Sequence, residues 1–572
     1  MQPVDFTTLT AACRELQKQW IPARLEQVYQ RDRHTIALAL RTLKQRGWLT
    51  ISWHPQAARI CLGQAPPRTP DTFTFSEQLR HQLNGFALTA LELAAPWERV
   101  LDLQFGQRPG ESPAWHLYVE IIGKYSNVIL TDANKQIVTV GHQVTAAQSS
   151  IRTVETGQPY QLPPALTATA PSLQESQQRW QESISLIPGN LQRQLLQNYR
   201  GLSPAVARSL IGKANLTPEQ TTASLTDADW QRLFLAWQEW LKLLESGEFQ
   251  PAWTNTGYTV LGWDGQESVA SVQLLLERYY GNRLNQQEFQ QLREQLGQKI
   301  RNCLNKLYLK ASNFQQRLQE SDNADESRQQ ADLLMAYLQQ VKPGMKEISL
   351  PDFETAAPVK IPLNPEKSAV QNAQVLYKRH QKLKRSRIAI EPLLQEVCDE
   401  IAYLEQVEAS ISQIENYNSP ADLQALREIR EELMVQGYLK LPSYPSRSQE
   451  AEFQPHRYHT PSGFEVWVGR NNRQNDQLAF RLASDHDLWF HVQENAGSHV
   501  LLRLPAGTVP EMADLQCAAD WAAYYSRARQ SNQVPVVCVE PKYVYKPKGA
   551  KPGMVVYKRE RLLWGRPPAE IV

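Results

Sequence analysis

A chain of 572 residues is too long for one hydrophobic core, so about three or four domains are expected. Hydrophobic residues make up 42% and charged residues 21%, which is ordinary for a soluble, folded protein. Lys and Arg number 61 against 59 Asp and Glu, so overall charge singles out neither nucleic acid nor membrane, and only local clusters can.

Residues 1–170 mix helical and alternating patterns and predict an α+β domain. Helical spacing runs from Thr8 to Gln19. Strand alternation follows at Glu26–Gln30, Thr35–Leu40, Trp48–Trp53, Ala58–Leu62 and Arg99–Phe105. Leu117–Leu130 is apolar around Gly123-Lys124-Tyr125-Ser126-Asn127, which predicts two strands and a turn. Pro163 and Pro164 end the domain, because paired prolines continue neither a helix nor a central strand. In residues 171–262 helices dominate. Leu195–Arg208 reads as helix, turn at Gly201, then a helix with Ser203 as N-cap and Pro204 in its first position. Such a helix-hairpin-helix can hold a phosphate on its turn amides; a plain helical hairpin that only packs fits the same residues.

Residues 263–440 predict an arm. Two long polar segments, 267–342 and 367–437, carry apolar residues at three- and four-residue steps: Ile300, Leu304, Leu307 and Leu309 in one, and Ile388, Leu393, Leu394, Val397, Ile401, Leu404 and Val407 in the other. An antiparallel coiled coil fits them, with residues 342–366 as a compact proline-rich tip. Residues 441–454 read as a linker. Residues 455–572 then predict a second α+β domain, with strands at Phe464–Val468, Asp487–Val492, His499–Arg503, Pro535–Glu540 and Met554–Tyr557, and a helix over Asp514–Arg529.

The six cysteines (Cys13, Cys61, Cys303, Cys398, Cys517, Cys538) are scattered, with no C-x-x-C pair, and read as buried thiols of a reducing compartment rather than disulfides or a zinc site. The first residues carry no basic stretch followed by an apolar run, and no segment approaches the ~20 apolar residues of a membrane span. A cytoplasmic protein without membrane attachment is expected.

Two basic islands stand out. Lys378, Arg379, Lys382, Lys384 and Arg385, flanked by Lys367 and Arg387, lie in a stretch with no acidic residue. Lys546, Lys548 and Lys551, with Lys542, Lys558, Arg559, Arg561 and Arg566, are interleaved with Tyr543, Tyr545, Tyr557 and Trp564. Cations neutralise phosphates and rings stack on unpaired bases, so both islands are candidate RNA contacts; a solvated surface is the alternative for each. His486, His491 and His499 with Asp485 and Asp487 look like a metal or catalytic group, but no third ligand at metal-site spacing accompanies them, and structural histidines are expected. Phosphate-loop, nucleophile-elbow and H-E-x-x-H motifs are absent. No catalytic residue, metal or cofactor is expected.

The run Asp487-Leu488-Trp489-Phe490-His491-Val492-Gln493-Glu494-Asn495-Ala496-Gly497-Ser498-His499-Val500, with Ala519–Arg529 and Lys546–Gly553, resembles the signature of the NFACT-R domain. Ile121–Leu130 resembles NFACT-N, and Asn372-Ala373 with the basic run after it resembles the family's coiled-coil return. The order of NFACT-N, helix-hairpin-helix, coiled coil and NFACT-R is that of the RqcH/NEMF family, formerly the fibronectin-binding protein A family, and covers nearly the whole chain. The resemblance implies a ribosome-associated quality-control factor. Such a factor binds large ribosomal subunits that still hold peptidyl-tRNA and recruits alanyl-tRNA, assisted by a small RqcP-like protein. The nascent chain gains an untemplated alanine tail that marks it for degradation, and the peptide bonds form at the ribosome's own centre. The family's tRNA-recruiting residues correspond to Asp5 and to the pair Glu98-Arg99, where Glu98 replaces the family's Asp. The longer side chain puts alanine selectivity in question more than ribosome binding, and Glu98 as a plain surface acid beside a phosphate-binding Arg99 is the alternative. The N-terminal half also resembles formamidopyrimidine glycosylases, but Met1-Gln2-Pro3-Val4 lacks their N-terminal Pro-Glu, so a DNA-glycosylase reading is disfavoured. A surface fibronectin-binding protein is disfavoured by the missing signal and anchor.

Overall fold

A computed structural model describes residues 1–66, 71–165, 167–322, 324–342, 344–353, 355–440 and 453–568. It divides into two compact units, Met1–Asn285 and Gln286–Val572. The expected linker at 441–454 lies almost wholly outside the described residues.

In the first unit, helix α1 (Phe6–Trp20) opens on Asp5, whose carboxylate accepts the Thr8 amide at 2.8 Å and so satisfies one of the bare N–H groups of the first turn. Its apolar face, Leu9, Ala12, Cys13, Leu16 and Trp20, is buried against a nine-stranded antiparallel sheet. The strands are β1 (Ala23–Asp32), β2 (Thr35–Arg41), β3 (Arg46–Ser52), β4 (Arg59–Gly63), and, after helix α2 (Thr74–Leu83), β5 (Ala87–Leu93), β6 (Val100–Gly106), β7 (Trp115–Glu120), β8 (Asn127–Asp132) and β9 (Ile137–Val140). Their order is β4-β3-β2-β1-β5-β6-β7-β8-β9. Strand β2 is buried over its first six residues because both of its faces are covered, so it lacks the polar alternation of a half-exposed strand.

Helices α3 (Gln177–Ser185), α4 (Leu191–Asn198), α5 (Pro204–Lys213) and α6 (Asp227–Ser246) pack around Trp180, Trp237 and Trp240. Between α4 and α5 the chain turns at Gly201, with φ +79°, and the Ser203 hydroxyl accepts the Val206 amide at 3.1 Å. Short strands β10 (Ala252–Trp253), β11 (Tyr258–Thr259) and β12 (Glu267–Ser268) precede helix α7 (Val272–Asp322).

In the second unit the rest of α7 and helix α8 (Ala324–Ala336) run antiparallel to α9 (Ala369–Gln413). Tyr308 donates to Glu405 at 2.6 Å, His380 Nδ1 meets the Ala324 carbonyl at 2.9 Å, and Tyr377 donates to Asp332 at 2.5 Å, so contacts rise along one strand of the arm as they fall along the other. Ile390, Val397, Leu404 and Ile411 recur every seven residues and are buried. Leu309 and Ile388, expected in the seam, are instead 66% and 65% exposed, and Leu393 is also exposed. A two-helix arm has room for one narrow apolar stripe, and these side chains lie off it. The tip is a hairpin of β13 (Glu347–Pro351) and β14 (Pro358–Pro362), whose Leu350 and Ile361 pack on Leu334 and Leu376.

Helix α10 (Pro420–Val435) leads to a six-stranded sheet of order β15-β16-β18-β17-β19-β22, formed by β15 (His456–His459), β16 (Glu465–Val468), β17 (Leu488–Val492), β18 (Val500–Leu502), β19 (Val534–Val539) and β22 (Arg561–Gly565). Helix α11 (Asn472–Gln477) precedes β17. Helix α12 (Met512–Tyr524) covers one face and ends earlier than the expected Arg529, and the pair β20 (Val544–Tyr545) and β21 (Val556–Tyr557) lies toward the other. The contact of α10 with this domain is polar. Asn471 and Gln474 donate to Glu428 at 2.7 and 3.0 Å, Asn472 donates to Glu432 at 3.0 Å, and Arg470 pairs with Asp422 at 2.5 Å. Each buried carboxylate thus has a donor, as burial requires.

Glu432 also accepts from the Tyr403 hydroxyl at 2.8 Å, yet burial outweighs both hydrogen bonds and pushes its carboxyl up to about 7. A raised folded-state pKa gives stability that is complete below the unfolded value and is lost as pH rises toward neutrality. Glu432→Gln keeps an oxygen for both donors and cannot ionise. Its melting temperature is expected to exceed the parent's by several degrees at about pH 8 and to match it near pH 4.5, where both side chains are neutral. Equal melting curves at both pH values would contradict the assignment.

Candidate nucleic-acid interface

The loop between β5 and β6 carries Trp97, Glu98 and Arg99. Trp97 adopts φ +63°, unusual for a bulky residue, and is held there by its ring, 4.8 Å from Phe6 and 5.7 Å from Trp240. Gly201 sits against the same ring, where an added Cβ would lie 2.5 Å from it. The tryptophan is therefore held by α1, α6 and the turn before α5 together, which fixes the backbone on which Glu98 and Arg99 follow.

Glu98 and Arg99 are half-buried. The Glu98 amide donates to the Ala95 carbonyl at 3.3 Å, and the Arg99 guanidinium reaches the Val4 carbonyl at 3.4 Å. Burial presses the Arg99 pKa down, while the carboxylates of Asp5 and Glu98 pull the other way. The three residues that the family resemblance assigned to tRNA thus share one electrostatic neighbourhood. Asp5 is only 5% exposed. One of its oxygens caps α1 and the other accepts the Ser203 hydroxyl at 2.5 Å, so its carboxylate faces inward. Ser203, read from sequence only as the cap of α5, is the residue that joins the helical turn to Asp5; the capping pattern was visible, but its second partner almost two hundred residues away was not.

The first basic island lies on α9. Lys378, Arg379, Lys382, Lys384 and Arg385 are all exposed, and among the described residues none has an ion-pair partner. Lys378, Lys382 and Arg385, at i, i+4 and i+7, form one row on the side away from buried Leu376 and Ile390. The row spaces three free cations along a rod, as a phosphate backbone requires.

The second island is partly committed to the fold. Lys551 is held at 2.5 Å by the Tyr438 hydroxyl, with its ammonium over the rings of Tyr403 and Tyr438, and burial lowers its pKa. Lys546 pairs with Asp476. Lys548 alone of these three is exposed with no such contact among the described residues. The same segment presents Lys542, itself paired with Glu540 at 2.5 Å, and Arg559 over Tyr543, and Lys558 over Tyr545, while Trp564 is 54% exposed on the edge strand β22. Exposed cations with an exposed Trp564 ring suit single-stranded RNA.

His491 and His499 lie 5.4 Å apart, ring to ring. His499 is fully buried, with its Nδ1 3.2 Å from the Asn475 carbonyl, and His491 Nε2 lies 3.2 Å from the Gly497 carbonyl. Burial pushes the two down to about 3 and about 4, so both are neutral at physiological pH. Gly497 is further clamped by Gln406 of α9, whose side-chain oxygen accepts its amide at 2.9 Å. These histidines shape the loop of the Asp487–Val500 motif. Among the described residues no cluster of three His, Cys, Asp or Glu side chains could hold a metal, and no helix is long and apolar enough to cross a membrane.

Residues 5–452 match the family model described as NFACT N-terminal and middle domains, and residues 454–559 match the NFACT protein RNA binding domain. The chain is 29% identical to "Rqc2 homolog RqcH" of Bacillus subtilis (strain 168) over 98% of its length and 97% of that protein's. It is 30% identical to the protein of the same name from Streptococcus pneumoniae (serotype 2, strain D39), over 96% of this chain and 95% of that one. The solved C-terminal part of the fibronectin/fibrinogen-binding protein from Streptococcus suis is 32% identical and covers 49% of this chain and 96% of its own, with a TM-score of 0.37. With both NFACT models matched in order and relatives aligned almost end to end, the chain belongs to the NFACT family, alongside the Rqc2 homologues RqcH.

Proposed function

We propose that this chain is a ribosome-associated quality-control factor that binds large ribosomal subunits obstructed by peptidyl-tRNA and recruits alanyl-tRNA for untemplated alanine tailing. The observation that carries the reading is the near end-to-end kinship with the Rqc2 homologues RqcH together with the RNA-binding domain at 454–559. The Glu98–Arg99 loop supports the tRNA part, because a carboxylate beside a guanidinium offers acceptors for base amino groups and a fork for phosphate or guanine. Asp5 orders that loop from inside. The row Lys378, Lys382, Arg385 and the surface around Lys548 and Trp564 supply sequence-independent RNA contacts. In this reading the chain is not an enzyme: it selects and positions tRNA with no cofactor, in the cytoplasm, and a small RqcP-like protein assists it.

The test is recovery of the tagged full-length chain from cells in which translation has been stalled, followed by sequencing of the bound RNA. Enrichment of large-subunit ribosomal RNA with alanine-accepting tRNA is expected. Recovery of the chain without ribosomal RNA would overturn the reading, and ribosomal RNA with a different tRNA would overturn its alanine part.

A further inference from the structure

The seat of α10 on the C-terminal domain buries more negative charge than it neutralises. Glu428 and Glu432 lie one turn apart on α10 and are 5% and 9% exposed. Every hydrogen bond they accept comes from a neutral group: Asn471, Gln474 and Gln424 for Glu428, and Tyr403 and Asn472 for Glu432. Among the described residues neither carboxylate forms an ion pair. The neighbouring cations are paired elsewhere, Lys546 with Asp476 and Arg473 with Glu431 at 3.6 Å. Both bonds to Glu432 reach its Oε1, and Oε2 has no partner among the described residues.

Glu432 lines a cavity of about 570 Å³ between α10, α11 and the loop that carries Lys546 and Pro552, and Oε2 opens on it. The walls are not all polar. Phe480 and Val435 are 40% and 79% exposed along it, so an apolar body gains by lying against them. Around the cavity Glu428, Glu431, Glu432 and Asp476 face Arg473, Arg481 and Lys546, four acids against three cations. Arg481, which forms no ion pair among the described residues, is exposed, so water screens its charge; the two carboxylates of α10 are buried and screened far less. The floor of the cavity therefore lacks a positive charge. A metal ion does not fit, because among the described residues no three His, Cys, Asp or Glu side chains converge to hold one. An ammonium or guanidinium on an alkyl stem does fit, since its head needs only a few acceptors and its stem suits the apolar wall.

We propose that this cavity binds an organic cation, with its ammonium or guanidinium on Glu432 Oε2 and Glu428 and its alkyl stem along Phe480 and Val435. A free polyamine and a basic side chain of a peptide share this chemistry. The bound cation competes with the proton of Glu432, whose carboxyl is raised to about 7 by burial and faces Tyr403 of α9, Asn472 and Asp476 of α11, and Lys546. Binding is therefore expected to strengthen between about pH 6 and about pH 8. The full-length chain is titrated calorimetrically with spermidine, with a blocked Gly-Arg-Gly peptide, and with magnesium at matched ionic strength. One saturable site is expected for spermidine or for the peptide, and which of them fills it identifies the source; none is expected for magnesium. Glu432→Gln keeps an oxygen for Tyr403 and Asn472 but carries no charge, and is expected to weaken that binding roughly tenfold or more. Phe480→Ala leaves the charges alone and is expected to weaken it several-fold. Saturation by neither organic cation, parental affinity in either variant, or equal displacement by magnesium would overturn the assignment.

Discussion

Alanine at both Glu98 and Arg99 is expected to abolish recovery of tRNA with the chain while ribosomal RNA is still recovered. Hydrogen bonds to charged groups contribute about 1.5–3 kcal/mol each, so loss of a carboxylate and a guanidinium together amounts to two or more orders of magnitude in affinity. The structure adds a cost to the fold. Arg99 lies in the field of Asp5, which is buried, so its removal takes a favourable charge away from that carboxylate and is expected to lower the melting temperature by a few degrees. Two conservative variants separate recognition from folding. Arg99→Lys keeps the charge beside Asp5 but not the fork, so it retains most of the stability and loses tRNA. Glu98→Asp restores the residue usual in the family and is expected to retain or improve binding. Parental tRNA recovery by the double variant, measured on protein verified as folded, would reduce the pair to a structural role.

Gly201→Ala is expected to be among the most damaging single-methyl changes in the first unit. The backbone at φ +79° disfavours any Cβ, by ~1 kcal/mol or more, and that Cβ would lie 2.5 Å from the Trp97 ring, where overpacking adds ~1–3 kcal/mol. Relief requires Trp97 to move, and Trp97 is the residue that sets the direction of Glu98. Thermal unfolding should drop by several degrees, and tRNA affinity should fall beyond the loss of folded protein. Gly201→Asn distinguishes the causes: asparagine tolerates the left-handed backbone but still meets the ring, so it should be nearly as harmful. A harmless Asn variant would mean that backbone strain, not contact with Trp97, is what the glycine avoids.

Local patterns were readable where one residue's chemistry decides its structure. Ser203 and Pro204 start α5, and Gly123–Asn127 turns between two strands, because capping, fixed φ and glycine freedom act within a few residues. The pattern failed where a distant partner decides. Leu309, Ile388 and Leu393 have helical spacing, but the arm offers a partner stripe to only one row. Lys546 and Lys551 look like free cations until Asp476, Tyr403 and Tyr438 are folded against them. Asp5 carries the same lesson for the candidate site. Its capping of α1 was local, whereas its contact with Ser203 depends on a helical turn almost two hundred residues later. Strand β5 and helix α11 went unread because neither segment has an apolar alternation strong enough to stand out before it is packed.

The polar seating of α10 on the C-terminal sheet has a consequence for how this family can be taken apart and recombined. The two family models meet at residues 452 and 454, which invites exchange of the C-terminal domain as a module. Yet Asn471, Asn472 and Gln474 find their acceptors on Glu428 and Glu432, upstream of that point. A domain excised there bares those donors to water, and one seated on a foreign α10 that lacks the matching carboxylates buries them unpaired, each costing ~1–3 kcal/mol. The cooperative folding segment therefore includes α10, and a chimera between relatives keeps its stability only if helix and sheet are inherited from the same parent.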